Sequence, residues 1–161
     1  MALALESANL VRQKAYNFIK GTSNSKYSNL WLATLREFFN QHQAKGNADL
    51  QFVAFDEADA DVDDGTDVSA IDAAHEIYVF YVKKINTATA NTVKLFDDAT
   101  VDTTAGDQAL SIPLDQANQE VMLVYPQGFT MTTGQIVTQH TTIEGSTDGS
   151  DGADGFTING A

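Results

Sequence analysis

Glu76-Ile77-Tyr78-Val79-Phe80-Tyr81-Val82-Lys83-Lys84-Ile85 is the stretch on which the fold turns. Its odd positions Ile77, Val79 and Tyr81 are apolar, and so are its even positions Tyr78, Phe80 and Val82. A β-strand sends alternate side chains to opposite faces, so this strand is apolar on both. In a sandwich of antiparallel sheets one face of each usually meets water and reads polar. A strand of this kind therefore needs a second cover, which helices or a sister subunit would supply.

The same period of two runs through most of the chain after Leu50. It predicts strands at Gln51–Phe55, Thr92–Phe96, Ala109–Leu114, Glu120–Tyr125, Gln135–Thr142 and Gly155–Asn159. Leu110, Ile112 and Leu114 point one way, and Pro113 among them marks an edge strand or a neighbouring bulge. Tyr125-Pro126-Gln127-Gly128, Thr132-Thr133-Gly134 and the run Gly145 to Gly155 carry turn chemistry. Seven or eight short strands with regular turns predict an antiparallel β-sandwich of jelly-roll or Greek-key type over 50–161.

Residues 1–49 read differently, as a helical N-terminal arm. Ala8, Val11, Ala15, Phe18 and Ile19 share one face of a helix over 3–20, which Lys20-Gly21 would end. Tyr27, Trp31, Leu35, Phe38 and His42, widened by Leu30 and Phe39, form the seam of a second helix over 26–45, closed by Lys45-Gly46. A short loop between them predicts a helical hairpin. Helices of this length take most of their stability from packing. Leaving Trp31, Phe38 and Phe39 wet would forgo roughly 1.5–3 kcal/mol each. Trp31, Phe38, Phe39, Tyr78, Phe80 and Val82 are thus the residues expected to be buried between elements or subunits.

Charge divides the same way. The first 50 residues hold six Lys and Arg against three acids, +6 − 3 = +3, and the remainder three Lys against nineteen acids, +3 − 19 = −16, which sum to −13. That balance argues against nucleic acid and anionic membranes as partners. With 161 residues and no Cys, the chain needs no disulfide to fold, and thiolate chemistry is excluded. The N-terminus has no basic segment before a short apolar run, and no 18 apolar residues run together, so neither a signal peptide nor a membrane span is expected.

No pattern announces catalysis. Asp59-x-Asp61-x-Asp63 begins like a calcium-binding EF-hand loop, but Asp64 stands where that loop needs glycine and Ala70 where it needs a bidentate acid. The run Asp56 to Asp67 reads as a solvated acidic loop, with a looser calcium site as the alternative. Asp148, Asp151 and Asp154 among glycines read as a turn leading into the last strand. His42, His75 and His140 have no metal-ligand spacing, and no GxSxG elbow supports a serine triad. No catalytic, metal or cofactor residues are assigned.

Four stretches carry a resemblance. They are Val93-Lys94-Leu95-Phe96-Asp97-Asp98-Ala99-Thr100, Leu110-Ser111-Ile112-Pro113-Leu114, Tyr125-Pro126-Gln127-Gly128-Phe129 and Thr133-Gly134-Gln135-Ile136-Val137. In that order they resemble the valine-lysine-leucine-tyrosine-aspartate strand, the isoleucine-proline strand and the proline-x-glycine-leucine and threonine-glycine turn of small β-sandwich virion proteins of tailed bacteriophages. The similar region is Tyr78 to Thr138, and residues 1–50 lie outside it. The resemblance implies a non-enzymatic capsid decoration (cement) protein of the virion, assembled in the host cytoplasm. Its partner would be the major capsid protein and its unit a homotrimer, and the resemblance carries no catalytic residue. The rival expectation is a receptor- or carbohydrate-binding module of a fibre or adhesin, using loops 56–67 and 145–155.

Overall fold

Ser7 opens the first helix. Its Oγ accepts the Leu10 backbone N–H at 3.4 Å, one of the donors that a helix start leaves without an intrahelical partner. In this computed structural model, which describes residues 5–23, 25–46, 49–55, 71, 73–84, 91–98, 108–114, 116, 118–140 and 153–160, helix α1 runs Ala8–Thr22. Val11, Ala15 and Ile19, one turn apart, are buried along its inner side. The helix begins later than the expected 3–20 because Glu6–Ser7 forms a two-residue strand, β1, opposite Leu50 and Asp49. It also runs through Gly21, which keeps a negative φ.

Helix α2 spans Ser25–Ala44, and Gly46, at φ 78°, turns the chain out of it. The expected seam is realised only in its second half. Leu35, Phe38, Phe39 and His42 are buried and Trp31 is half-buried, but Tyr27 and Leu30 remain 40% and 56% exposed. The two helices pack together, with Tyr16 and Phe39 edge to face at 6.3 Å.

Seven strands follow: β2 Asp49–Phe55, β3 His75–Lys84, β4 Asn91–Phe96, β5 Gln108–Leu114, β6 Glu120–Met131, β7 Ile136–His140 and β8 Ala153–Gly160. With β1 they form two antiparallel sheets, ordered β1-β2-β8-β3-β6 and β5-β4-β7, and neither closes into a barrel. Four of the pairings are nested along the chain. β4 pairs with β5, β3 with β6, Ile71 bridges Gln135, and β2 pairs with β8. The proline-bearing strand β5 holds the edge position expected of it. Ile85, Thr141, Thr142, the acidic run Asp56 to Asp67 and the turn residues 141–152 lie outside the described residues.

Both faces of β3 are covered from within the chain. On one side Ile77, Phe80 and Val82 join Phe55, Met131 and Ala153 of the larger sheet and Val93, Leu95, Ile112, Leu114 and Val137 of the smaller one. On the other, Val79 and Tyr81 join Phe156 and Ile158 of β8 and Val11, Ala15, Ile19, Leu35, Phe38 and Phe39 of the helices. The order is therefore helices, five-stranded sheet, three-stranded sheet. The simple alternation expected of β3 fails at Tyr78. Between Ile77 and Val79 the partner on β8 advances one residue, from Asn159 to Ile158, so Tyr78 is an extra residue there. That bulge puts Ile77 on the same face as Phe80 and Val82, and sends Tyr78 toward the helices.

The bulge has a counterpart on β6, whose partner position jumps from Phe129 to Val124 over the same two residues. Tyr125-Pro126-Gln127-Gly128 was expected to end a strand. Instead these residues form a bulge inside a strand that continues to Met131, at the sheet edge where proline is tolerated. Gly128 has φ 86°.

Gly155 is required for a different reason. A Cβ there would strike the Tyr81 carbonyl oxygen and the Phe55 ring, because β8 passes between them at close range. Gly155→Ala is expected to cost about 3 kcal/mol or more through forced backbone movement. Gly21→Ala, where nothing lies within 4 Å, should instead stabilise by roughly 0.5 kcal/mol as a helix substitution. Urea denaturation of the two variants checks both signs.

Candidate functional site

The six residues singled out for burial lie where elements meet. Phe38 and Phe39 of α2 are 4% exposed against the sheet's helix-facing side, and Trp31 and Tyr78 are half-buried there. Phe80 and Val82 are fully buried between the sheets. Of the two covers considered for β3, the helices supply one, so these side chains are buried without a second subunit.

The histidines sit on different elements. His42 is wedged between Phe38 and Tyr78, with ring centroids 5.6 and 5.3 Å away, and its Nε2 has no partner among the described residues. It lies in the last turn of α2, where the helix dipole favours a cation. Burial outweighs that and, with the charge of Lys45, lowers its pKa. His75 instead heads a buried polar chain. Its Nδ1 lies 2.7 Å from Ala73 O and its Nε2 3.0 Å from Gln135 Oε1, and a neutral ring donates to one of these two oxygens. The Gln135 amide reaches Thr157 Oγ1 at 3.0 Å, which also accepts from Asn159 Nδ2 at 3.0 Å. The chain ties β3 and β8 to the start of β7 and satisfies most of its buried polar atoms, a structural duty. His140 lies in β7 opposite Thr92. Among the described residues no three of His, Asp and Glu converge as metal ligands would.

Asp97, at the end of β4, gathers four donors: Thr132 N–H at 2.9 Å and Oγ1–H at 2.7 Å, Thr133 N–H at 2.8 Å and Gly134 N–H at 3.2 Å. Burial pushes its carboxyl up, but these bonds to the charged form overcome it and hold the pKa below the usual carboxylate value. This single side chain fastens the turn between β6 and β7.

A recess lies elsewhere, between the exposed start of α2 and the β5–β6 turn. It measures about 500 Å³, and Tyr27, Leu30 and Trp31 form its helical wall. Trp31 Nε1–H donates to Glu120 Oε2, which locks the indole against the first residue of β6. Beneath it, Tyr81 is fully buried, with its ring 6.3 Å from the indole. Burial, then the nearby Glu120 charge, raises the Tyr81 pKa well above its ordinary value. Among the described residues no hydrogen bond of good geometry closes on the Tyr81 hydroxyl.

The opposite wall is amide-rich. Gln119 holds the turn shut: its Oε1 accepts from Gln116 N–H at 3.1 Å and its backbone N–H donates to Gln116 O at 3.2 Å. Gln116 and Asn118 stay exposed at the rim, and Asn118 has φ 56°. Among the described lining residues Glu120 is the one carboxylate, it is engaged by Trp31, and no nucleophile lies beside a base. Such an arrangement can bind; it lacks the paired groups of acid–base or nucleophilic chemistry. Gln116, Asn118 and Glu120 were not singled out from sequence, where they read as an ordinary polar turn between two strands. The one signal pointing here was Trp31, the sole tryptophan.

No protein-family model matches this chain, and neither a curated protein nor a solved structure does.

Because His42 is held neutral by its surroundings, the unfolded chain binds its proton more readily than the folded one. Its contribution is therefore complete above the ordinary value of 6.5 and is lost as pH falls through 6.5 toward the lowered folded value. The drop in urea midpoint between about pH 7 and about pH 5 is expected to be smaller in His42→Leu than in the wild type.

Proposed function

We propose that the two sheets are the halves of a jelly roll, and that the chain is a non-enzymatic structural protein of a tailed-phage virion. In this reading it is a capsid decoration protein that binds the head lattice and stabilises it by bridging major capsid protein subunits. The observation that carries the reading is the nested pairing. Innermost β4·β5, then β3·β6, then Ile71·Gln135, then β2·β8 describe one long antiparallel ribbon wrapped on itself. That is the double-sheet plan common in capsid domains. The stretches that carry the resemblance to phage virion proteins are also physically joined: Asp97 of the first binds Thr133 and Gly134 of the last.

The surface supports a docking role. Lys20, Lys26, Arg36 and Lys45 lie exposed on the helical layer, whereas the rest of the chain is acidic. Exposed charges of this kind are screened over about 8 Å at physiological salt and steer contact more than they hold it. A lattice compensates through many weak contacts acting together, and a homotrimer at threefold positions would multiply them further.

The decisive experiment is imaging of the particle that contains the chain. A decoration protein covers the head in many copies at lattice-symmetric positions. A few copies at a fibre tip would overturn the proposal. In co-sedimentation with purified heads, Lys20→Glu/Lys26→Glu/Arg36→Glu is expected to weaken binding about tenfold or more at low salt, with an unchanged melting temperature. Sedimentation equilibrium of the free chain reports the trimer.

A further inference from the structure

We propose that the cleft between the start of α2 and the β5–β6 turn is a binding site for a neutral saccharide. This goes beyond the decoration reading and does not depend on it. The cleft's volume of about 500 Å³ falls in the size class of small-molecule sites, which combine apolar walls with a few placed polar groups.

Its chemistry selects the ligand. A sugar ring presents C–H groups on its faces, which pack on aromatic rings, and hydroxyls around its edge, which need donors and acceptors together. Trp31 offers an indole held in place by its N–H bond to Glu120, and Tyr27 lies one turn before it, 40% exposed. Lys26 Nζ stands 5.4 Å from the Tyr27 ring centroid, steadying that ring. Gln116 and Asn118 supply amides, each both donor and acceptor, at the facing rim. Glu120, its Oε2 already bound by Trp31, repels an anion and can accept a hydrogen bond from a hydroxyl. A polyol without charge matches this combination of aromatic faces, amides and acceptor.

Two departures from what folding alone would favour fall on this cleft. Tyr27 and Leu30 break the otherwise buried seam of α2 and keep large apolar side chains in water. Asn118 holds φ 56°, in the left-handed region where glycine would serve the backbone without penalty. Asparagine there keeps an amide at the rim.

The sole tryptophan lies in the site, so its emission reports occupancy directly. The full chain is screened on a glycan array and then titrated with neutral tetrasaccharides of glucose, galactose, mannose and N-acetylglucosamine. The expected result is a saturable emission change for at least one of them, with Kd between about 10 μM and about 1 mM. Asn118→Gly and Tyr27→Ala should each weaken it about fivefold or more while leaving the melting temperature unchanged, because neither side chain is buried. Flat emission for every sugar up to about 10 mM overturns the proposal. So does wild-type affinity in both variants. An emission shift on adding purified heads without any response to sugars would also overturn it, and would assign the cleft to the lattice.

Discussion

Strand β3 cannot face water on either side, and the rest of the molecule is arranged around that constraint. Ile77, Phe80 and Val82 demand a second sheet; Val79 and Tyr81 demand something else on the opposite face. The helical hairpin meets that demand with Leu35, Phe38 and Phe39 of α2 and Val11, Ala15 and Ile19 of α1. Full burial of such side chains is worth roughly 1.5–3 kcal/mol each, so sheet and helices depend on one another. The bulge at Tyr78 reconciles the two sides, letting one strand feed two cores whose positions do not match a single alternation.

Most of this architecture was legible in the sequence because its elements follow simple periods. The switch from helical spacing to alternation near Leu50, the strand cores at Gln51–Phe55, Thr92–Phe96 and Ala109–Leu114, and the edge role of Pro113 are all consequences of side-chain direction and backbone donors. What was not legible depended on partners distant in sequence. Pro126 and Gly128 carry the chemistry of a turn, yet pairing with β3 on both sides of them keeps β6 a single strand. Likewise, Tyr27 and Leu30 fit the seam of α2 by spacing, and only the position of the sheet decides that they stay wet.

The candidate site was hidden for the same reason. Trp31 was visible as a large side chain in need of cover, but its partner Glu120 is 89 residues away. The amides of the β5–β6 turn gain meaning only once the turn stands opposite the helix. The acidic run, the loudest local signal in the sequence, lies outside the described residues.

The nesting of the strands also dictates an order of assembly. β4 and β5 are close along the chain and can meet early, whereas β8 must travel back from the far end to slot between β2 and β3. Loop closure on that scale is entropically costly and slow compared with local helix formation. During synthesis the hairpin of α1 and α2 therefore emerges long before Phe156 and Ile158, which complete the surface it packs on. Its apolar stripe stays only partly covered until β8 has emerged, which makes this the interval when a nascent chain is most exposed to aggregation or in need of a chaperone.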